Sequence, residues 1–178
     1  SVAAGAGADL LSGNAAISAS GASLLMGAGK DTVTLTASEF GSGVAKGGGG
    51  ADKITLNIAA GTDWTIDGGA GNDSVFITAA AGTFDSADVL LGDGSDELSV
   101  NGDISDTGLI DAGAGNDSLS FNTGTFGDAA GLTIAGGDGA DTIAFNDFGS
   151  AGSGAMALGG AGNDSIIFDF NQAEGAGS

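Results

Sequence analysis

The stretch GGAGNDSVF, residues 68–76, carries the pattern that decides the fold. Its central part, G-x-G-x-D, occurs eight times along the chain, and each copy ends on an aspartate. These aspartates are Asp9, Asp31, Asp52, Asp73, Asp96, Asp117, Asp141 and Asp164. Successive aspartates are 21 to 24 residues apart. A glycine-rich disordered segment would not keep such a constant spacing, so the chain reads as a repeat protein.

Apolar residues recur at fixed positions around each aspartate. In the complete copies, the second and fourth residues after the aspartate are apolar, with small or polar residues between them. The seventh residue before the aspartate is apolar as well. This alternation predicts a short strand on each side of the turn, followed by a variable return loop.

A unit of about 22 residues cannot close a hydrophobic core alone, so it must stack on its neighbours. We therefore predict an all-β fold, a parallel β-solenoid of about eight stacked coils with one G-x-G-x-D turn per coil. Residues 1–178 form a single domain in this interpretation. The first and last coils are expected to be incomplete, because Gly13 stands where the first copy should have its second apolar residue.

The charge of the chain excludes several functions. Three lysines face 23 acidic residues, which gives a net charge of −20, and there is no histidine, cysteine or tyrosine. Such a chain is not expected to bind nucleic acid or an anionic membrane surface, and no apolar run is long enough to span a bilayer. No carboxylate pair stands apart from the repeat, so we expect no enzymatic activity.

The turns have the composition of a hard-cation site. Glycine tolerates positive φ and allows a tight bend with carbonyl groups turned inward. Ca²⁺ takes about six to eight oxygen ligands, more than one turn offers, so we expect each ion between two adjacent coils. Eight turns then make at most seven intercoil calcium sites. The alternative is that each aspartate only caps the backbone of its own turn.

Three turns with the strand that follows them resemble the RTX calcium-binding repeat, G-G-x-G-x-D-x-U-x. They are GGAGNDSVF (68–76), GGDGADTIA (136–144) and GGAGNDSII (159–167). The resemblance covers nearly the whole chain, and the remaining copies match more loosely. It implies that calcium is bound by the aspartate and by the carbonyl oxygens of the first and third positions of the six-residue motif. These positions lie five and three residues before the aspartate.

The ligands that the resemblance implies follow coil by coil: Met26, Ala28 and Asp31; Gly47, Gly49 and Asp52; Gly68, Ala70 and Asp73; Leu91, Asp93 and Asp96; Ala112, Ala114 and Asp117; Gly136, Asp138 and Asp141; Gly159, Ala161 and Asp164, with Asp9 in the first coil. The RTX pattern has two motifs per coil, whereas this chain has one. We therefore expect ions along one edge, and the aspartates of the opposite edge leave open whether further ions bind there.

The leading functional hypothesis is an extracellular structural module, a building block of a surface layer, matrix or filament. The chain has 9 residues up to Asp9 and 14 after Asp164, so a second copy placed behind the first would continue the spacing of the turns. This predicts head-to-tail stacking, with one further calcium at each junction. If the chain belongs to a longer array, the same spacing follows without assembly.

An adhesin, or an ice- or surface-binding segment of a larger secreted RTX protein, is the alternative function. Thr32, Thr34, Thr36 and Thr55 begin an outward row of threonines, but the row does not persist in later copies. Secretion is expected in either case. The resemblance implies sites that stay empty in a low-calcium cytosol and fill outside the cell, where the exported chain then folds.

Overall fold

The computed structural model describes residues 1–14, 21–37, 42–58, 61–85, 87–105, 108–126, 131–146, 148–151 and 154–169. Within these ranges the chain forms 18 strands and no helix, so the described residues include no apolar helix that could cross a membrane. The strands are β1 (Val2–Ala3), β2 (Leu10–Asn14), β3 (Ala22–Ala28), β4 (Thr32–Ala37), β5 (Gly43–Gly49), β6 (Lys53–Ile58), β7 (Gly61–Thr62), β8 (Trp64–Ala70), β9 (Ser74–Asp85), β10 (Asp88–Asp93), β11 (Glu97–Ser105), β12 (Leu109–Ala114), β13 (Ser118–Phe126), β14 (Thr133–Gly139), β15 (Thr142–Asn146), β16 (Phe148–Ala151), β17 (Met156–Gly162) and β18 (Ser165–Asp169).

The strands form two sheets that lie on opposite sides of the core. The first sheet has the order β1-β3-β5-β8-β10-β12-β14-β17, and the second has the order β18-β15-β13-β11-β9-β6-β4-β2. Short strands β7 and β16 add to the second sheet beside β9 and β13. Each coil gives one strand to each sheet, and neighbouring coils pair in parallel. The predicted all-β parallel solenoid is thus confirmed. About six coils pair with a neighbouring coil on both sides, and a terminal coil lies at each end.

Equivalent residues of successive coils stack on each other, as the repeat predicted. In the second sheet Ile54 pairs with Val33 on one side and with Val75 on the other. In the first sheet Ile66 pairs with Ala45 and Val89 in the same way. All six side chains are buried. These apolar columns face each other between the sheets and form one continuous core, whose burial supplies the main folding energy.

Aromatic rings take over one column near the C-terminal end of the stack. Phe121 and Phe145 stack with their ring centroids 5.1 Å apart, and Phe145 stacks on Phe168 at 4.8 Å. Their position, four residues after the aspartate, is filled by Leu35 and Leu56 in earlier coils. Parallel, in-register pairing therefore lets large rings replace aliphatic side chains without a change of fold.

The glycines of the motif have the backbone conformation that the turn requires. Gly69 and Gly71 have φ angles of 109° and 122°, and both motif glycines have positive φ in seven of the eight copies. A Cβ on Gly71 would overlap the carbonyl oxygen of Gly50 in the coil before it. Glycine is needed at these positions both for its dihedral angles and for the close approach of adjacent coils.

The side of the coil opposite the motif is more regular than we predicted. Instead of ending before a loop, β9 runs for 12 residues and β11 for nine. Gly102 and Gly124 have φ angles of 128° and 132°, and the register of β11 shifts between Asn101 and Asp103. These glycines let the strand bend around the second corner while Ile104 beyond it remains buried. The return is therefore partly strand.

Candidate metal centre

The motif aspartates form a buried column at one corner of the solenoid. The six with less than 4% exposure are Asp31, Asp52, Asp73, Asp96, Asp117 and Asp141. Asp9 and Asp164, in the first and last coils, are partly exposed. The tight glycine turns place each aspartate directly before a strand of the second sheet, so that its side chain lies between the two sheets at their edge.

One carboxylate oxygen of each aspartate connects two coils. The backbone N–H of Asp52 donates to Oδ1 of Asp73 at 2.8 Å, and the N–H of Asp73 donates to Oδ1 of Asp96 at 2.7 Å. The same bond joins all seven successive pairs, with distances from 2.7 to 3.1 Å. Capping of its own turn, our alternative from the sequence, is found only for Asp9 among these bonds, where Oδ2 accepts the N–H of Gly5 at 3.3 Å; the six buried aspartates bond to the preceding coil instead.

The second carboxylate oxygen has no hydrogen-bond partner. Oδ2 of Asp31, Asp52, Asp73, Asp96, Asp117 and Asp141 is buried and accepts no bond. Leaving a charged oxygen buried and unpaired costs several kcal/mol, so such a group is either protonated or bound to a cation. The column thus presents six buried oxygens that need a proton or a metal ion.

At Asp52, Asp73 and Asp141, the unpaired oxygen and the first-position carbonyl oxygen of the next coil both lie beside the glycine at the first motif position. A Cβ built on Gly47 would lie 2.6 Å from Oδ2 of Asp52 and 2.5 Å from the carbonyl oxygen of Gly68 in the next coil. A Cβ on Gly68 would lie 2.7 Å from Oδ2 of Asp73 and 2.5 Å from the carbonyl oxygen of Leu91. A carboxylate oxygen of one coil and a carbonyl oxygen of the next therefore share one small space.

The strand pairing is irregular at the first motif position. Lys46 pairs with Asp67 and Gly48 pairs with Gly69, but the register passes over the first motif position between them. The same position is passed over between β8 and β10 and between β14 and β17. The regular pairing is therefore interrupted at the same position whose carbonyl oxygen lies near the carboxylate.

Carbonyls of the third motif position accept backbone hydrogen bonds from the adjacent coil. The carbonyl oxygen of Ala70 accepts a bond of 2.7 Å from the N–H of Gly50, and that of Asp93 accepts one of 2.7 Å from Gly71. The carbonyls of Ala28, Gly49, Ala114 and Asp138 accept the equivalent bonds. A carbonyl oxygen has a second lone pair, so these groups hold adjacent turns together and retain capacity for a ligand.

An oxygen-ligating cation fits the residues at this corner. Carboxylate and carbonyl oxygens are the ligands that Ca²⁺ prefers, at roughly 2.3–2.6 Å. Among the described residues, no three acidic side chains come together in a cluster. A cation between two turns would therefore take most of its ligands from backbone carbonyls, and the first-position carbonyls would be the nearest of them to Oδ2.

Burial raises the pKa of four aspartates of the column, Asp52, Asp73, Asp96 and Asp117. Desolvation raises the pKa of Asp73 to about 6, the charges of Asp96, Asp52 and Asp67 add to this, and the N–H of Asp52 opposes it. Desolvation and the neighbouring charges of Asp96 and Asp141 likewise raise the pKa of Asp117 to about 6.

Two lysines of the chain are engaged away from this column. Lys46 pairs with Asp67 on the outer face at 2.6 Å, and Lys53 lies 5.1 Å from the ring centroid of Phe76. Neither interaction neutralises an aspartate of the motif.

Comparison with known proteins finds no matching family model, curated protein or solved structure. The coordinates define the class as a parallel β-solenoid with stacked aspartate turns, which is consistent with a β-roll.

Proposed function

We propose that this chain is a calcium-binding structural module of the RTX type, with Ca²⁺ bound between adjacent coils at the aspartate column. The observation that carries the proposal is the set of six buried Oδ2 atoms without a hydrogen-bond partner. At Asp52 and Asp73 this oxygen faces a backbone carbonyl of the next coil. Two acceptor oxygens repel each other unless a cation or a proton lies between them.

A cation is favoured over a proton at neutral pH. With a pKa of about 6, Asp73 and Asp117 are mostly ionised at pH 7. The donor set consists of oxygen only, which suits Ca²⁺, whereas transition metals prefer imidazole or thiolate. Seven divalent ions would also change the formal charge from −20 to about −6, which would remove most of the self-repulsion.

The same electrostatics couples ion binding to folding. Unless a cation is bound, the column places ionised aspartates on adjacent coils, about 5 Å apart. We propose that the chain stays unfolded at cytosolic calcium and folds outside the cell, where calcium is abundant. This supports an extracellular or cell-surface location.

The experiment is circular dichroism of the chain during a CaCl₂ titration after removal of bound ions with a chelator. The β-sheet signal is expected to appear cooperatively with calcium, and MgCl₂ at the same concentration is expected to produce much less of it, because Mg²⁺ requires octahedral geometry. A β-sheet signal and a melting temperature that do not respond to chelator or calcium would contradict the proposal.

The end faces of the solenoid support head-to-tail stacking of copies. Ile166 and Phe168 belong to columns that are buried in the inner coils, yet they are 39% and 56% exposed. At the other end the same columns present Leu11 and Gly13. A second copy placed on this end would set the large Phe168 ring against the glycine and Ile166 against Leu11, so the sizes are complementary.

The charge distribution also favours the head-to-tail orientation of stacked copies. Residues 1–58 contain four acidic residues and three lysines, a net charge of −1, whereas residues 59–178 contain 19 acidic residues and no lysine. Contact between two C-terminal ends would bring the acidic parts together, which is unfavourable, and head-to-tail contact avoids it. We propose that stacked copies build a surface layer, matrix or filament, with one further calcium at each junction.

Stacking is tested by light scattering at saturating calcium, with Phe168→Lys as the variant and Ile167→Lys as the matched control. Ile167 lies on the same strand but is paired in the outward column with Ala144. Phe168→Lys is expected to abolish calcium-dependent association, whereas Ile167→Lys is expected to retain it. A monomeric wild-type chain at high calcium would refute the stacking part alone.

A further inference from the structure

The first motif position is not equivalent in all coils. It is glycine in four coils, at Gly47, Gly68, Gly136 and Gly159, and it carries a side chain in the other four, at Ala4, Met26, Leu91 and Ala112. Met26, Leu91 and Ala112 are buried, with 2%, 0% and 0% of their surface exposed. Their side chains therefore lie inside the solenoid, on the same side as the aspartate column.

A side chain at this position occupies the space that the two facing oxygens share. A Cβ on Gly136 would lie 2.6 Å from Oδ2 of Asp141 and also against the carbonyl oxygen of Gly159. The corresponding Cβ atoms on Gly47 and Gly68 would lie within 2.7 Å of both oxygens. Contacts this short are not found for real Cβ atoms, so the oxygens and a methyl group cannot share the space without moving apart.

We infer that the intercoil positions fall into two classes, open sites and filled sites. The open sites have glycine at the first motif position and comprise the carboxylates of Asp52, Asp73 and Asp141, each with the first-position carbonyl of the next coil. The filled sites are those of Asp31, Asp96 and Asp117, where Met26, Leu91 and Ala112 take up the space, and that of Asp9 in the first coil, which has Ala4 at this position. The inference rests on the proposed function and adds which of the coils bind calcium tightly.

Physical chemistry favours the open sites for two reasons. Calcium affinity rises with the number of oxygen ligands that can reach about 2.3–2.6 Å, and a methyl group beside the carboxylate reduces that number. Met26 and Leu91 also surround the carboxylate with apolar atoms, which makes the charged complex harder to solvate. We expect three tight sites, and filled sites that bind at least about tenfold more weakly.

The last coil, which contains Asp164, has one of the two features of an open site. Gly159 is a glycine, and a Cβ on it would lie 2.6 Å from Oδ2 of Asp164. No carbonyl oxygen of a following coil is among its nearest atoms within the described part of the chain. Asp164 therefore offers half of an open site, which a carbonyl from another coil would complete.

The test is calorimetric titration of the full chain with CaCl₂, using two opposite substitutions. Gly68→Ala fills one open site and is expected to lower the number of tight sites from three to two. Ala112→Gly opens a filled site and is expected to raise the number from three to four. Neither position has positive φ, so glycine and alanine are both compatible with the backbone dihedral angles there.

Thr65→Ala serves as the matched control. Thr65 lies on the same strand as Gly68, but it is only half-buried between the buried Trp64 and Ile66, so its side chain is on the opposite face of the strand from the core. It is expected to leave three tight sites. If Gly68→Ala does not fold in calcium by circular dichroism, Ala112→Gly decides the question, because it removes atoms from the core edge.

The outcomes separate the two proposals. Seven equivalent sites, or a number of tight sites unchanged in Ala112→Gly, would overturn the division into open and filled sites while the proposed function stands. If the wild-type chain shows no heat of calcium binding and no change in circular dichroism, the proposed function itself is wrong.

Discussion

At the scale of the residue, each motif aspartate has two roles that are divided between its oxygens. Oδ1 of Asp73 accepts the N–H of Asp52 and ties two coils together, while Oδ2 is buried without a partner. The first role would be served by any side-chain acceptor of this shape, whereas the second needs a charge partner. An isosteric, uncharged replacement therefore separates them.

Asp73→Asn is expected to have opposite effects with and without calcium. An asparagine keeps the acceptor for the Asp52 N–H, and its amide can donate towards the carbonyl of Leu91 that Oδ2 faces. Without calcium the variant should gain roughly 1–3 kcal/mol of stability, because a buried unpaired charge is removed. With calcium it should be less stable than the wild type, since a ligand is lost. The folded fraction in chelator, measured by circular dichroism, and thermal unfolding in CaCl₂ test the two effects.

Asp63→Asn is the control for this prediction. Asp63 is exposed and has a φ of 54°, a conformation that asparagine tolerates well. The substitution removes the same charge outside the column and should change stability by less than about 0.5 kcal/mol in either condition. A loss of stability of Asp73→Asn in chelator as well as in calcium would show that the carboxylate is needed for the fold without a cation.

The raised pKa values predict an inverse pH dependence for the metal-free chain. Asp73 and Asp117 have a folded-state pKa of about 6, above the value of about 3.9 in an unfolded chain. The folded state therefore binds more protons, and this contribution is complete below about pH 4 and lost as pH rises through 6.

In chelator, the folded fraction of the chain, measured as the β-sheet signal in circular dichroism, should fall between pH 4 and pH 7, and the double variant Asp73→Asn/Asp117→Asn should show a smaller fall. A β-sheet signal that rises over this range in chelator would contradict the raised pKa of these groups.

The sequence was sufficient to identify the aspartates but not the arrangement of oxygens around them. Constant spacing marks Asp73 as a repeated corner residue, because stacking aligns equivalent positions. It does not indicate which way a carbonyl points, so the bond from Gly50 to the Ala70 carbonyl could not be foreseen. The importance of the first motif position was missed for a related reason. In the sequence, Gly68 and Leu91 show no common feature, because one is glycine and the other is large and apolar. Only the structure places both beside a carboxylate.

At the scale of the element, the turn requires glycine at the two motif positions that have positive φ. The residue between them has no such requirement. Gly50→Ala should destabilise the chain by at least about 2 kcal/mol, because φ is 132° and a Cβ would overlap the Gly29 carbonyl. Gly49→Ala meets nothing within 4 Å and should change stability by less than about 0.5 kcal/mol. Chemical denaturation in calcium compares the adjacent substitutions, and equal effects would argue against the turn geometry.

Strands could be predicted from the sequence on the motif side better than on the return side. The alternation around Ile54 and Leu56 has the period of a strand with one buried face, and the structure confirms it. On the return side the coils differ in length, so no alignment of positions was visible. The bends at Gly102 and Gly124 depend on φ angles that any glycine can adopt and that the pattern does not reveal.

At the scale of the whole molecule, charge and architecture act together. The chain has a net charge of −20. In the part of the chain that the structure describes, each coil contacts mainly the coils before and after it, so the stack is held together by contacts between neighbours. Small-angle scattering should give a radius of gyration of about 45 Å in chelator and about 16 Å in calcium. KCl at the same ionic strength should not produce this compaction, and equal effects of the two salts would point to screening alone.

The constant register between coils has a consequence for how such a chain can change over generations. Since Ile66 meets Ala45 below and Val89 above in the same manner, one coil can be lost or duplicated and its neighbours still meet equivalent partners. A recombination event that removes or copies one unit of about 22 residues would leave the fold intact. The number of coils is therefore the property of this protein that recombination can change most easily, one coil at a time.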